Sequence, residues 1–202
     1  MKKGLLIVVS GPAGSGKGTV NSHLLATDDF RFSVSATTRA PRPGERDGIN
    51  YFYITREEFE KRIENGDMLE YNFYCGNYYG TPREAVERVL AEGKNIILEI
   101  DVNGAKQVKE KYPDAVLIML LPPTFAIQEA RLRGRATEDE ETIRKRLEQT
   151  KSEVPHFLEY DYVVYNYDGG ADRAAGDILA IVRAEQLSAK RNPNTATHYF
   201  EK

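Results

Sequence analysis

The chain has one cysteine in 202 residues, Cys75, which excludes an intramolecular disulfide and a cysteine-based zinc site. It lacks a strong charge of either sign: 28 Lys and Arg against 31 Asp and Glu leave a formal net charge of −3. Nucleic acid and anionic membranes therefore meet no global attraction, and any anionic ligand must be held by a local cluster of basic side chains. Long apolar runs are missing too. The N-terminal run "LLIVVS" is far shorter than a signal-peptide core or a membrane span. No internal repeat and no low-complexity tract is apparent. What remains, 41% hydrophobic and 29% charged residues, is enough for a packed core and is not the composition of a disordered chain. The expectation is a cytoplasmic globular protein of one domain with inserted lobes, with no nucleic-acid or membrane partner. Monomer and homo-oligomer remain equally open.

Four β-rich runs, residues 5–10, 95–100, 115–120 and 162–166, alternate with helical patterns. Nearly continuous apolar runs suit strands buried on both faces of a parallel sheet. Helix starts are readable between them. Thr81-Pro82-Arg83-Glu84 reads as an N-cap followed by Pro at the first helical position, with Gly93 closing that helix. Thr137 opens a similar cap, and Thr55 with Glu58 forms a capping box whose helix stops near Asn65-Gly66. A last helix is expected over 171–187. The fold class is α/β: a three-layer sandwich on a parallel core sheet, with ligands at the carboxyl ends of the strands. The predicted core comprises residues 1–32, 95–124 and 152–190. An inserted mixed α/β lobe covers 33–94, an arginine-dense helical lid 125–151, and a polar tail 191–202.

"GPAGSGKGTV", residues 11–20, follows the first apolar run directly. Its glycines let backbone N–H groups converge on phosphate oxygens, and the helix that follows adds the positive end of its dipole. Gly11, Pro12, Ala13, Gly14, Ser15, Gly16, Lys17, Gly18 and Thr19 are the candidate phosphate loop. A metal-reaching hydroxyl belongs immediately after the lysine, but Gly18 stands there and Thr19 comes one place late. Mg²⁺ is therefore expected to be held mainly by nucleotide phosphates and water, with a carboxylate nearby. In "LEID", Glu99 and Asp101 are two apart, hence on one face at a strand's carboxyl end. Such a pair suits either metal binding or ligand recognition, and Asp101 is the candidate metal neighbour.

Several stretches in order, "SGPAGSGKGTV", "SVSATTRAPRPGERDGINYFY", "GNYYGTP", "ILEIDVNGA", "RLRGRATE" and "YDYVVYN", make the chain resemble the guanylate kinases. The pattern S-x-T-T-R-x-P-R-x-G-E with G-N-Y-Y-G is more specific than the phosphate loop. The resemblance implies a P-loop core, a lobe for the nucleoside monophosphate and a mobile lid. It also implies Mg²⁺-dependent phosphoryl transfer from ATP to GMP or dGMP. Ser35, Glu70, Thr81 and Glu99 match guanine-contacting residues, with Asp101 beside them. Arg39, Arg42, Tyr51 and Tyr79 match residues that hold the GMP phosphate. Arg131, Arg135 and Arg146 match arginines that close on the phosphates, and Asn166 falls near the adenine-contacting stretch. Lys17, Arg39, Arg135 and Arg146 are the implied catalytic set. Departures from the family pattern are Ala13, Asn103, Ala136 and the run "YNYDGGADRAAG".

The residues support this chemistry independently. Guanine offers two N–H donors that one carboxylate can accept, and an O6 that a hydroxyl can serve. Alternation in "DMLEYNFY" puts Met68, Glu70, Asn72 and Tyr74 on one face, which frees Glu70 for a cleft. Thr81 competes for a role as helix cap. Arg39 and Arg42 flank Pro41, a rigid turn suited to a phosphate fork. On the lid helix, Glu140–Arg144 and Glu141–Lys145 read as i,i+4 pairs, whereas Arg146 has Thr142 four residues back. Arg131 and Arg135 bracket Gly134, and Arg133 stays undecided. The attacking phosphate oxygen is already anionic, so in-line transfer needs no general base. Two rivals stand beside this reading: a P-loop kinase for another acceptor, such as AMP or a phosphorylated sugar, and a non-catalytic peptide-binding module.

Overall fold

The computed structural model describes residues 4–134 and 139–201. The chain opens with strand β1 (Leu6–Ser10), the phosphate-loop segment and helix α1 (Lys17–Leu25), then β2 (Phe30–Phe32) and β3 (Ala36–Thr37). There follow β4 (Phe52–Tyr53), α2 (Arg56–Glu64), β5 (Met68–Tyr74), β6 (Asn77–Pro82) and α3 (Arg83–Ala91). Next come β7 (Asn95–Glu99), α4 (Val102–Lys111), β8 (Val116–Leu121), α5 (Phe125–Gly134) and α6 (Glu140–Glu153). A 3₁₀ turn over Val154–Glu159, β9 (Tyr162–Tyr165), α7 (Ala171–Leu187) and α8 (Thr195–Phe200) complete the described chain.

Five strands form one parallel sheet in the order β2-β7-β1-β8-β9. β1 sits in the middle and is buried on both faces, which is why its sequence is continuously apolar. Ile7 and Val9 join Val20 and Leu24 of α1 and Ile178 and Val182 of α7 in one core layer. Leu6 and Val8 join Val86 and Leu90 of α3 and Ala105 and Val108 of α4 in the other. The four expected strands are all present. β2 went unforeseen: its three residues, Phe-Arg-Phe, carry too little pattern to stand out, and pairing with β7 makes the strand. Among the described residues no helix is long and apolar enough to cross a membrane.

The second sheet, β4-β3-β6-β5, lies wholly between residues 36 and 82. Its own small core is Ala36, Phe59 and Met68, closed by Phe52, Ile54, Ile63, Tyr71 and Tyr78. Two of the many tyrosines are thus packing residues. β5 also ties the two sheets together, because Leu69 belongs to the core layer of α3 and α4. Gln107 of α4 pairs with the Tyr71 backbone, accepting from its N–H at 3.1 Å and donating to its carbonyl at 3.0 Å.

Three local readings need correction. The pairing of β5 with β6 is irregular between Met68 and Glu70, so Met68 turns to the side of Tyr71 and no longer shares a face with Glu70. Gly80 makes room there, since a Cβ on it would lie 2.5 Å from the Glu70 carbonyl oxygen. Thr81 is not the cap of α3: it is the penultimate residue of β6, and Pro82 holds the cap position without a side-chain bond. Strand pairing overrode the local Thr-Pro-x-Glu signature. Helix α6, in the segment expected to form the lid, is capped by Asp139, which accepts from Thr142 N–H at 2.7 Å; Thr137 lies outside the described residues. Thr55 caps α2 as expected.

Candidate active site

The phosphate loop runs from the carboxyl end of β1 into α1, with Gly14 and Gly16 at φ 83° and 88°, a left-handed backbone that other residues rarely adopt. Lys17 folds its ammonium back onto the loop and donates to the carbonyls of Gly11 at 2.6 Å and Pro12 at 3.3 Å. Three successive carbonyls on the outer side of the loop are held by distant side chains. Gln128 donates to Ala13 at 2.8 Å, Arg131 reaches Gly14 at 3.5 Å, and Asn166 donates to Ser15 at 2.8 Å. Asn166 is buried, and its amide nitrogen is held by the loop. Arg131 is likewise committed, to Asp168 at 2.7 Å and to the Asn166 carbonyl at 2.8 Å. Gly18 and Thr19 lie on the exposed first turn of α1, and a Cβ at Gly18 would meet nothing within 4 Å.

The expected pair of acids at the end of β7 separates. Glu99 ends the strand and accepts from Asn21 of α1 at 2.8 Å. Asp101 lies beyond the strand as the cap of α4, accepting from Gly104 N–H at 2.7 Å and from Asn72 at 3.2 Å. The rule of two residues per strand face therefore does not apply to them. Glu70, by contrast, is only 5% exposed. Its Oε1 accepts the Thr81 hydroxyl at 2.6 Å, and its Oε2 lies so close to Gly104 that a Cβ there would sit 3.1 Å away. Burial pushes the Glu70 carboxyl up to about 7; the nearby Asp101 charge adds to the shift, while the Thr81 bond opposes it.

Arg39, two residues after β3, and Tyr51, just before β4, gather around Tyr79 of β6. Tyr51 and Tyr79 meet edge to face with ring centroids 6.0 Å apart, and the Arg39 guanidinium lies 5.6 Å from the Tyr51 ring centre. Glu45 grips Arg39 with two bonds of 3.0 Å and also accepts from Arg42 N–H at 2.7 Å and the Tyr53 hydroxyl at 2.8 Å. These bonds, Arg39 first, hold the Glu45 carboxyl down to about 2 and raise the Arg39 guanidinium further. Arg42 is exposed beside them, and Ser35 is half-buried one residue before β3.

On α6, Arg146 is half-buried and within electrostatic reach of the Tyr74 hydroxyl at the tip of β5. Arg133 resolves as a surface ion-pair residue, bonded to Glu129 at 2.9 Å and to Glu140, so Glu140 is engaged there as well as in the field of Arg144. The Glu141–Lys145 pair forms at 2.7 Å. Arg135 lies outside the described residues. Among the described residues no cluster of three or more His, Cys, Asp or Glu converges as a metal cage. With Gly18 bare and Asp101 engaged as a cap, these donors fit a Mg²⁺ carried by phosphate oxygens and water. Neither Glu45, bonded to Arg39, nor Gln128, bonded to the loop, stands out in the sequence. Glu45 stands inside a motif whose other members drew attention; Gln128 gives no local signal.

A glycine loop of this geometry, between the central strand of a parallel sheet and the first helix, defines a P-loop nucleotide-binding protein. Comparison narrows the class. The family model described as guanylate kinase matches residues 3–183. The guanylate kinases of Halalkalibacterium halodurans and Lactobacillus acidophilus are 51% and 50% identical over 191 residues, covering 94% of this chain and 93% of theirs. The crystal structure of guanylate kinase from Anaplasma phagocytophilum is similar at TM-score 0.73 and 34% identity, covering 95% of this chain and 90% of that one. The chain belongs to the guanylate kinase family.

Proposed function

We propose that the protein transfers the terminal phosphate of ATP to GMP, giving ADP and GDP, in the cytoplasm. The observation that carries this reading is the buried Glu70–Thr81 pair on β5 and β6, with Tyr79 on β6 gathering Tyr51 and Arg39 beside the same sheet. A carboxylate that accepts two guanine donors, with Ser35 and Thr81 hydroxyls beside it, leaves adenine's reversed pattern unpaired. Arg39, Arg42, Tyr51 and Tyr79 then receive the GMP phosphate, and the loop with Lys17 receives the donor phosphates. Glu99 and Asp101 border the acceptor pocket.

Lys17 must leave its loop carbonyls for the donor phosphate oxygens, and Arg146, with Arg135, closes on the transferred group. The work is positioning and neutralisation of charge, and no side chain has to remove a proton. Asp101 would be the carboxylate to hold the water shell of a Mg²⁺ carried by the phosphates, and that ion would supply further neutralisation of their charge. The division of labour we favour is core, acceptor lobe and lid, closing over the reaction to exclude water. A coupled assay of ADP formation against GMP, dGMP, AMP, CMP and UMP tests the reading. Turnover with the guanine nucleotides is expected; preference for AMP, or no turnover at all, overturns it.

A further inference from the structure

Gln128 on α5 is 1% exposed, and its amide nitrogen is shared between two parts of the site. It donates to the Ala13 carbonyl of the phosphate loop at 2.8 Å and to the Thr150 hydroxyl of α6 at 2.7 Å. The Thr150 hydroxyl in turn donates to the Arg146 carbonyl at 3.0 Å. A carbonyl only accepts, so Ala13 fixes which way the amide faces. The surroundings are dry and close. A Cβ on Gly14 would lie 3.4 Å from Gln128 Cγ and 3.2 Å from Leu132 Cγ. Leu132, Ile143 and Leu147 form an apolar cluster against Ala13. An aliphatic side chain would fill this space with no polar atoms to satisfy, so packing alone does not account for an amide.

We propose that Gln128 is a positioning residue for phosphoryl transfer. One N–H holds the loop that receives the donor phosphates, and the other holds, through Thr150, the helical turn that carries Arg146. Loop and arginine are thereby kept in register across the transferred group. This rests on the kinase reading above. Register matters because a displacement of about 1 Å originating away from the chemistry can cost about a hundredfold in rate.

Gln128→Leu removes both bonds, whereas Thr150→Val cuts only the arm to Arg146. The two variants and wild type are compared by calorimetric titration with ATP and with GMP, by kcat with GMP, and by thermal melting. For Gln128→Leu, ATP affinity is expected to fall about fivefold and kcat about tenfold, with GMP affinity within about twofold. For Thr150→Val, kcat falls about fivefold and ATP affinity stays level. A lowered melting temperature with kcat and ATP affinity within about twofold in both variants overturns the proposal. So does an equal loss of ATP affinity in the two. Gln128→Met, of similar length, replaces the leucine variant if that one does not fold. Should wild type bind ATP without phosphorylating GMP, the kinase reading fails by itself. An unchanged ATP affinity in Gln128→Leu would then still reject the hold on the loop.

Discussion

Thr81 donates a hydrogen bond from its hydroxyl to Glu70 across 2.6 Å, from β6 to β5, and neither residue is open to bulk water. The bond exists because the β-bulge beside Met68 turns Glu70 toward α4, where glycine at 104 leaves space for the carboxylate. A buried carboxylate with one hydroxyl donor is under-served, and its raised pKa expresses that. Two further donors, such as those on one edge of guanine, would complete it.

This fixes a pH dependence. Accepting from two guanine N–H groups requires ionised Glu70, and the carboxyl titrates at about 7 before the ligand arrives. GMP affinity should therefore rise about tenfold between pH 6 and pH 8, beyond the smaller change from the ligand's own phosphate. Glu70→Gln should bind GMP weakly and without this steep component. Stability has the opposite sign. A folded pKa above the usual glutamate value of 4.5 means that the favourable contribution is complete below about 4.5 and is lost as pH rises through about 7. Thermal melts of wild type should fall across that window, and those of Glu70→Gln should fall less. Calorimetric titration at several pH values checks the first part, and a flat GMP affinity rejects it.

Glu45 is expected to matter for GMP through Arg39. Its two bonds hold the guanidinium plane beside Tyr51 and Tyr79 before any phosphate is present. Glu45→Gln keeps the size but loses the bidentate ionic grip, so the GMP KM should rise about tenfold with the ATP KM unchanged. Equal loss for both substrates would mean a general defect of the lobe instead.

Lys17→Ala removes the one ammonium placed inside the phosphate loop. The loop backbone and its outer bonds from Gln128, Arg131 and Asn166 remain, so folding should survive. Turnover should fall between about a hundredfold and a thousandfold, the usual cost of deleting a donor aimed at developing charge. Near-normal kcat in a folded variant would remove the lysine from the mechanism.

What could be read from the sequence depended on how local the determining physics was. The strands buried on both faces announce themselves as apolar runs, and Thr55 caps α2 because the cap bond spans three residues. Thr81 misleads for the same reason: the cap signature is local, while its actual partner, Glu70, is eleven residues away across a hairpin. Met68 and Glu70 part company at a bulge that alternation cannot anticipate. Asn166 donates to the Ser15 carbonyl, 151 positions earlier, a partner that no local pattern announces. Gln128 and Ala13 are 115 positions apart, and only the folded chain brings an unremarkable glutamine onto the loop.

Two glycines of the loop make opposite predictions. At Gly16 a Cβ would lie 2.3 Å from the Asn166 amide, on a backbone at φ 88°. Gly16→Ala should therefore strain the turn and push Asn166 off Ser15, weakening ATP binding about tenfold. Gly18 has no such constraint, since nothing lies within 4 Å of its added Cβ and its φ is ordinary. Gly18→Ser should fold at least as well as wild type, because serine at a helical position costs less backbone entropy than glycine. It also restores a hydroxyl next to Lys17, where a metal-bound loop normally offers one. If Mg²⁺ in the wild type is carried by phosphates and water, the new hydroxyl adds a ligand, and half-maximal activity should need about two- to fivefold less Mg²⁺. Titration of kcat against Mg²⁺ at saturating ATP and GMP measures this. No change in the Mg²⁺ requirement would mean that the metal lies out of reach of the loop, or that Thr19 already supplies the missing oxygen.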